Sequence, residues 1–301
     1  MWLAWLAGCN EPEPPPTVEP IRTMPELTAV RISGGEGPIG SPPEEPFRGD
    51  DEPLRRVTIG RDLLVMTTEV TQGAWEAVLG DNPMARRTQI WGGREQGGCG
   101  ILRGVSQIAP DLPVTCVTWR EAVEFADALS EKNGLDPAYV TDSDEIAWDR
   151  SADGWRLPTE AEWEWIARKS GPGPWGRGAD AAGVCAFANV ADSALKAVIP
   201  DAEASPCTDG VAGLRAVTSG VPDGNGIVDL VGNAWEWTWD VYTPAPPAGV
   251  DPVGPLTGDG RVFRGGGWDA PVERTRLAQR KGGLNGNRSQ WLGFRLVRNA
   301  P

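Results

Sequence analysis

Histidine is absent from this 301-residue chain, tyrosine occurs twice and methionine four times. Without imidazole there is no Ser-His-Asp or Cys-His nucleophilic system, no usual zinc site and no histidine-ligated iron centre. Any chemistry must come from carboxylates, thiols, amines, phenols or hard, oxygen-ligated metals. Positive charge is also scarce: 28 Lys and Arg face 42 Asp and Glu, a formal net charge of −14. Such a balance repels phosphate backbones, so nucleic acid is excluded as a partner. Long apolar runs are missing too, and the opening stretch from Met1 to Cys9 is too short to span a bilayer.

Glycine, proline and tryptophan are plentiful, at 39, 28 and 15 residues. Frequent turn formers with few long periodic segments predict a loop-rich fold, and tryptophan supplies large rigid packing units.

Five cysteines divide into one and four. Leu6-Ala7-Gly8-Cys9 resembles a bacterial lipobox, in which small residues precede a cysteine that becomes lipidated. Residues 1–9 are therefore read as a truncated lipoprotein-type signal with Cys9 as the lipidation site; the alternative is a fortuitous cysteine. Residues 10–22, rich in Glu and Pro, read as a semi-rigid tether. The expected location is the bacterial cell envelope, exported and held to the membrane by a lipid anchor alone. Cys99, Cys116, Cys185 and Cys207 remain, an even number with three possible connectivities. Pairing between sequence neighbours favours Cys99 with Cys116 and Cys185 with Cys207, and four buried free thiols is the other reading. No CxxC spacing occurs, so zinc and thioredoxin-type roles lack their pattern.

One domain, residues 23–299, follows the tether. Leu27 to Ile32 and Arg56 to Ile59 read as short strands around Gly34-Gly35 and a Pro-rich stretch from Ser41 to Pro53. Helix signals recur in order. Thr71 caps one helix that runs to Gly80; Thr118 and Glu121 form a capping box for a second that stops at Asn133-Gly134. Thr159 and Glu162 cap a third, with Trp163, Ile166 and Ala167 as its buried stripe. Later strands are expected at Ala234 to Trp239, with Trp235, Trp237 and Trp239 on one face, at Arg261 to Arg264, and at Gly293 to Val297. Few helices, short strands and long loops describe an α+β domain.

The segments then match a family. Thr67-Thr68-Glu69-Val70-Thr71, Pro113-Val114 with Val117-Thr118-Trp119, and Trp155 to Glu164 resemble successive blocks of the formylglycine-generating, or sulfatase-modifying factor, family. Asp229 to Thr238, Arg264-Gly265-Gly266-Gly267-Trp268 and Gly293-Phe294-Arg295-Leu296 continue in that family's order. The resemblance implies a single C-type-lectin-like domain. It also implies structural calcium, held in one block by the carboxylates of Asp229 and Glu236 with the carbonyls of Gly232 and Ala234. A second block would use Asn189 and Asp209 with the carbonyls of Val190 and Val211. Hard ions of this kind take six to eight oxygens. Asp223-Gly224-Asn225-Gly226 echoes an EF-hand loop, but its twelfth position is Ala234, which rules that pattern out.

The departure lies in the catalytic segment. Family enzymes carry two copper-binding cysteines shortly after the Gly-Gly-Ser block, whereas the run from Trp268 to Arg280 has none. A soft Cu(I) site needs thiolate, imidazole or thioether. Neither copper nor iron is therefore expected, and no catalytic residue is assigned. The branch of the superfamily that uses histidine-bound iron is excluded by composition. What the segment does offer is Asp269, Glu273, Arg274, Asn285, Asn287, Arg288 and Trp291, polar and aromatic groups suited to a protein, peptide or glycan of the envelope. Arg276 and Arg280 could instead serve as internal partners of Glu164 or Asp240. The expected function is a tethered, calcium-stabilised binding or scaffolding module; the alternative is a protein-modifying oxidase acting on cysteine through an unrecognised centre.

Overall fold

Capping chemistry sets the helices. In the computed structural model, which describes residues 17–21, 24–86, 99–142, 145–178, 180–258 and 260–301, helix α1 spans Gln72–Leu79 with the Thr71 hydroxyl accepting from Ala74 N. It closes on left-handed Gly80 at φ 88°. Helix α2, Trp119–Lys132, and helix α3, Glu160–Arg168, each start in a complete capping box, Thr118 with Glu121 and Thr159 with Glu162. A short α4, Ser193–Val198, is capped by Asp192 inside the region that sequence left irregular. Cys9 and most of the expected tether lie outside the described residues.

The strands are short. β1 (Val18–Ile21), β2 (Met24–Ile32), β3 (Gly35–Ile39), β4 (Arg55–Ile59) and β5 (Leu63–Met66) precede α1. Two small hairpins follow, β6 (Ile101–Leu102) with β7 (Val105–Ser106) and β8 (Tyr139–Asp142) with β9 (Glu145–Trp148). The C-terminal set is β10 (Trp235–Val241), β11 (Gly249–Val250), β12 (Gly260–Arg264), β13 (Arg280–Leu284), β14 (Leu292–Gly293) and β15 (Val297–Asn299). Sheet orders are β1-β2-β5-β15, β13-β12-β10-β14 and β11-β4-β3. The first sheet joins the two ends of the domain, because Val65 pairs with both Val30 and Val297. β1 falls inside the stretch expected to be tether, so residues 18–21 belong to the sheet. The strand expected from Gly293 to Val297 is split into β14 and β15, which serve different sheets.

Two aromatic centres fill the interior. Trp75 stacks on Phe125 at 5.3 Å and meets Phe294 edge-on, locking α1 against α2 and the segment between β14 and β15. Around α3, Trp163 and Trp165 share a cluster with Trp175, Ile39 and Val57. The single buried stripe expected for α3 is too narrow, because every residue from Glu160 to Ala167 is buried. Its three glutamates are tolerated there because each meets arginine. Glu160 binds Arg280, Glu162 binds Arg156, and Glu164 binds Arg264 and Arg168, all at 2.6–2.9 Å.

Both disulfides join sequence neighbours. Cys99–Cys116 and Cys185–Cys207 close with Cα separations of 6.0 and 6.1 Å. Non-reducing peptide mapping should recover these two links and no alkylatable thiol among the four residues. Replacing either pair by serine should cost about 2–4 kcal/mol of stability. A crossed link such as Cys99 with Cys185 would contradict the fold described here.

Candidate functional site

The turn leading into β10 organises a buried polar centre. Asp229, Gly232 and Asn233 all adopt positive φ, at 58°, 84° and 62°, which curls the chain. A side chain at Gly232 would place its Cβ 2.3 Å from the Asn189 carbonyl, so only glycine fits. Asn233 is the hub. Its Oδ1 accepts from Asn189 Nδ2 and Arg215 N, both at 3.0 Å, while its Nδ2 donates to Glu69 Oε1 at 3.0 Å.

Charge in this centre is unbalanced. Asp229 pairs with Arg215, and Glu236 accepts from Arg295 at 2.7–2.9 Å and from Trp163 Nε1 at 2.6 Å. Glu69 adds a third carboxylate, and its Oε2 is buried with no hydrogen-bond partner. Three carboxylates against two guanidiniums leave one negative charge over. Burial, then Asp229, pushes the Glu69 carboxyl well above the usual range, and burial raises Asp229 despite Arg215.

The two implied calcium blocks fare differently on this geometry. Glu236 does not fit as a ligand, since Arg295 and Trp163 fill its acceptor positions. Asp229 is likewise engaged by Arg215, with the carbonyls of Gly232 and Ala234 in the same turn. Asn189 and Asp209 fit better. Asn189 Oδ1 is buried without a partner, and the Asp209 carboxylate accepts from Val190 N at 2.8 Å and Val211 N at 2.9 Å, beside it. Among the described residues no three acidic or thiol side chains converge as a metal cluster. An ion at this place would take most of its oxygens from main-chain carbonyls such as those of Val190 and Val211, the mode hard cations accept.

The segment expected to bind a ligand is only partly available. Arg288 is held by Glu121 and the Cys116 carbonyl, and Arg274 by Glu203. Trp291 is no free stacking face. It packs 5.7 Å from Phe263 and 6.4 Å from Trp235 as part of the core rim. Glu273 sits in a short 3-10 turn, Val272–Arg274. Arg276 and Arg280 are internal, as one reading allowed, but Arg276 binds Glu45 and Glu52 while Arg280 binds Glu160.

Asp269, Asn285 and Asn287 remain beside the β12–β13 hairpin. Asp269 Oδ1 accepts from Trp235 Nε1 at 3.2 Å, and burial pushes its carboxyl up to about 6. Lys281, which the sequence reading passed over, lies 4.8 Å from the Trp235 ring centre. A groove of about 560 Å³ runs past it, lined by Tyr242, Arg280, Lys281, Leu284 and Asn287. The run of two glycines after Lys281 was the available signal.

The fold and these sites define a single α+β module built like the enzymes that convert cysteine to formylglycine, with the thiol positions empty of thiol. The family model for a sulfatase-modifying factor enzyme 1-like domain matches residues 15–300, so the chain belongs to that family. It is 29% identical to the formylglycine-generating enzyme of Streptomyces coelicolor over 96% of this chain and 93% of that protein. It is 32% identical to the mouse inactive C-alpha-formylglycine-generating enzyme 2, over 62% of this chain and 57% of that protein. Among solved structures, Treponema denticola variable protein 1 superposes with a TM-score of 0.74 at 25% identity, covering 95% of this chain and all (100%) of that one.

The raised Asp269 carboxyl has a pH consequence. A carboxyl whose folded pKa exceeds its unfolded value of about 4 stabilises the fold while protonated and loses that contribution as pH rises. The loss should run between about pH 4 and the native value of about 6. Asp269→Asn should therefore remove roughly 3 kcal/mol of pH-dependence from that window, read as the wild-type minus variant difference in denaturant unfolding. Parallel pH profiles would contradict the assignment.

Proposed function

We propose that this protein is an exported, lipid-anchored and calcium-stabilised binding or scaffolding module that does not generate formylglycine. The observation that carries this reading is the placement of thiols. All four cysteines of the domain are spent in two disulfides, and none lies in the segment from Trp268 to Arg280. Oxidation of a substrate thiol on copper needs soft ligands at the reacting centre. With histidine absent throughout and no thiol in that segment, the remaining donors are hard oxygens and cationic nitrogens. A relative whose name marks it inactive, from mouse, is 32% identical over 62% of this chain.

Export is supported by the disulfides, which persist in oxidising compartments, and by the lipobox-like Leu6-Ala7-Gly8-Cys9. Among the described residues no helix is long and apolar enough to cross a membrane, so Cys9 would supply the attachment. Envelope proteins, peptides or glycans are the partners such a tethered module would meet. On this reading calcium would bind at Asn189 and Asp209, and the buried, unpartnered Asn189 Oδ1 supports that location. There it would neutralise buried oxygens and pin the loop that carries the Cys185–Cys207 bridge.

Two measurements test this reading. A sulfatase-type cysteine peptide incubated with copper-loaded protein under oxygen should keep its mass. Conversion of that cysteine to formylglycine would overturn the reading in favour of a protein-modifying oxidase. Separately, chelation should lower the melting temperature and calcium restore it, with about 2.7 kcal/mol of stabilisation at a hundredfold excess over the dissociation constant. Asp209→Ala should abolish the calcium response, whereas an identical response in that variant would move the ion elsewhere.

A further inference from the structure

The two disulfides differ in their surroundings. Cys99 and Cys116 are 1% and 0% exposed and sit in a core cluster with Met84, Leu102 and Trp268. Cys185 is 8% exposed, and Cys207 is only half-buried, between exposed Pro206 and Thr208. Thiol–disulfide exchange needs a thiolate to reach a sulfur, so burial decides which bridge can react. Only Cys185–Cys207 is open to that attack.

The open bridge also closes the two segments that carry the calcium donors. Asn189 follows Cys185 by four residues, and Asp209 follows Cys207 by two. Hydrogen bonds share that closure. Asp192 Oδ2 accepts from Asp209 N at 2.6 Å, Asp209 Oδ2 from Val190 N at 2.8 Å, and the Cys207 carbonyl from Ser193 N at 3.3 Å. Between the two cysteines the chain is thinly packed, since α4 buries Leu195 alone and Glu203 meets Arg274 on the surface. Donors spread over two segments hold a hard cation well only when those segments are already fixed together. Opening the bridge returns to residues 207–210 freedom that the cross-link removes.

We propose that Cys185–Cys207 is a redox latch on the Asn189–Asp209 cation site, opened by a dithiol reductant and closed again by a disulfide oxidant. A thiolate of the reductant attacks the more open Cys207, and Cys185 leaves as thiolate. The reductant's second thiol then displaces Cys207 from the mixed disulfide. Two electrons and two protons pass to the bridge, and the reductant ends as a disulfide. Cys99–Cys116 stays closed, so the domain keeps its fold while Asp209 loses its place beside Asn189 and the cation is released. The inference rests on the calcium reading above and adds its regulation.

The test uses the full chain, calcium as the only ligand and buffers of graded reduced to oxidised dithiothreitol, with thiols counted by alkylation and mass spectrometry. Cys185 and Cys207 should become alkylated together at ratios that leave Cys99 and Cys116 oxidised. Calorimetry should show calcium binding at least tenfold weaker in that reduced form, with recovery on reoxidation. Linkage makes the effect reciprocal, so saturating calcium should lower the potential of this bridge by about 30 mV for each tenfold. Asp209→Ala should abolish that shift and leave the bridge reducible, which a bridge serving stability alone would not show. The Cys185→Ser, Cys207→Ser double variant should bind calcium as the reduced protein does; should it fail to fold, the wild-type titration decides. Reduction of both bridges together, or a potential indifferent to calcium, would overturn the proposal. Equal calcium affinity in the oxidised and reduced forms would sink this inference alone, whereas an oxidised protein that binds no calcium would sink the calcium reading and the latch with it.

Discussion

The Glu236–Arg295 ion pair is the contact on which the rest of this structure depends. Both side chains are essentially excluded from solvent. Arg295 also donates to the carbonyls of Met66 and Val228, while Glu236 takes the Trp163 indole. One pair therefore ties β5, the turn before β10, α3 and the β14–β15 segment together. Breaking a buried pair strands a charge and typically costs about 3–5 kcal/mol, whereas the intact pair adds little over an apolar substitute. Its value here is positional. It fixes the direction of β10 and, through Asn233, the Asn189 and Asp209 loops.

The same logic repeats along α3. A helix buried on every side has no solvent for its glutamates, so Arg156, Arg264 and Arg280 must come to them. Arg156 comes from the segment just before the helix, whereas Arg264 and Arg280 arrive from a hundred or more residues away and tie α3 to β12 and β13. Loops with little regular structure can be held in this way without a large continuous core. Asp240 completes the pattern. It caps the start of α3 through Glu160 N at 2.6 Å, and burial lifts its carboxyl to about 7.

Legibility followed the range of the physics. Capping boxes, helix stops and the neighbouring disulfides are local, and Thr118 with Glu121 or Asn133-Gly134 reported them directly. The α+β class and the family were readable because its blocks kept their order. The partners of buried charges were not. Glu236 and Thr238 alternate with tryptophans as a solvent-facing row would, yet both are buried because Arg295 and Val262 O satisfy them. Arg288 and Trp291 were expected at a binding surface for their chemistry alone. Their neighbours Glu121 and Phe263 lie far off in sequence and settle their roles. Lys281 was missed because only the fold sets it on the Trp235 ring and within electrostatic reach of Asp269.

The central claim is that this chain keeps the family's scaffold without its thiol centre. The most direct measurement is Cu(I) affinity of the disulfide-intact protein carrying Cys9→Ser, read by competition with a chromophoric chelator. With the four remaining cysteines oxidised and no histidine, the account predicts that the chelator keeps the metal at every protein concentration. Stoichiometric transfer of Cu(I) to the folded protein would reveal a soft-ligand centre that these residues should not be able to form, and would contradict the account.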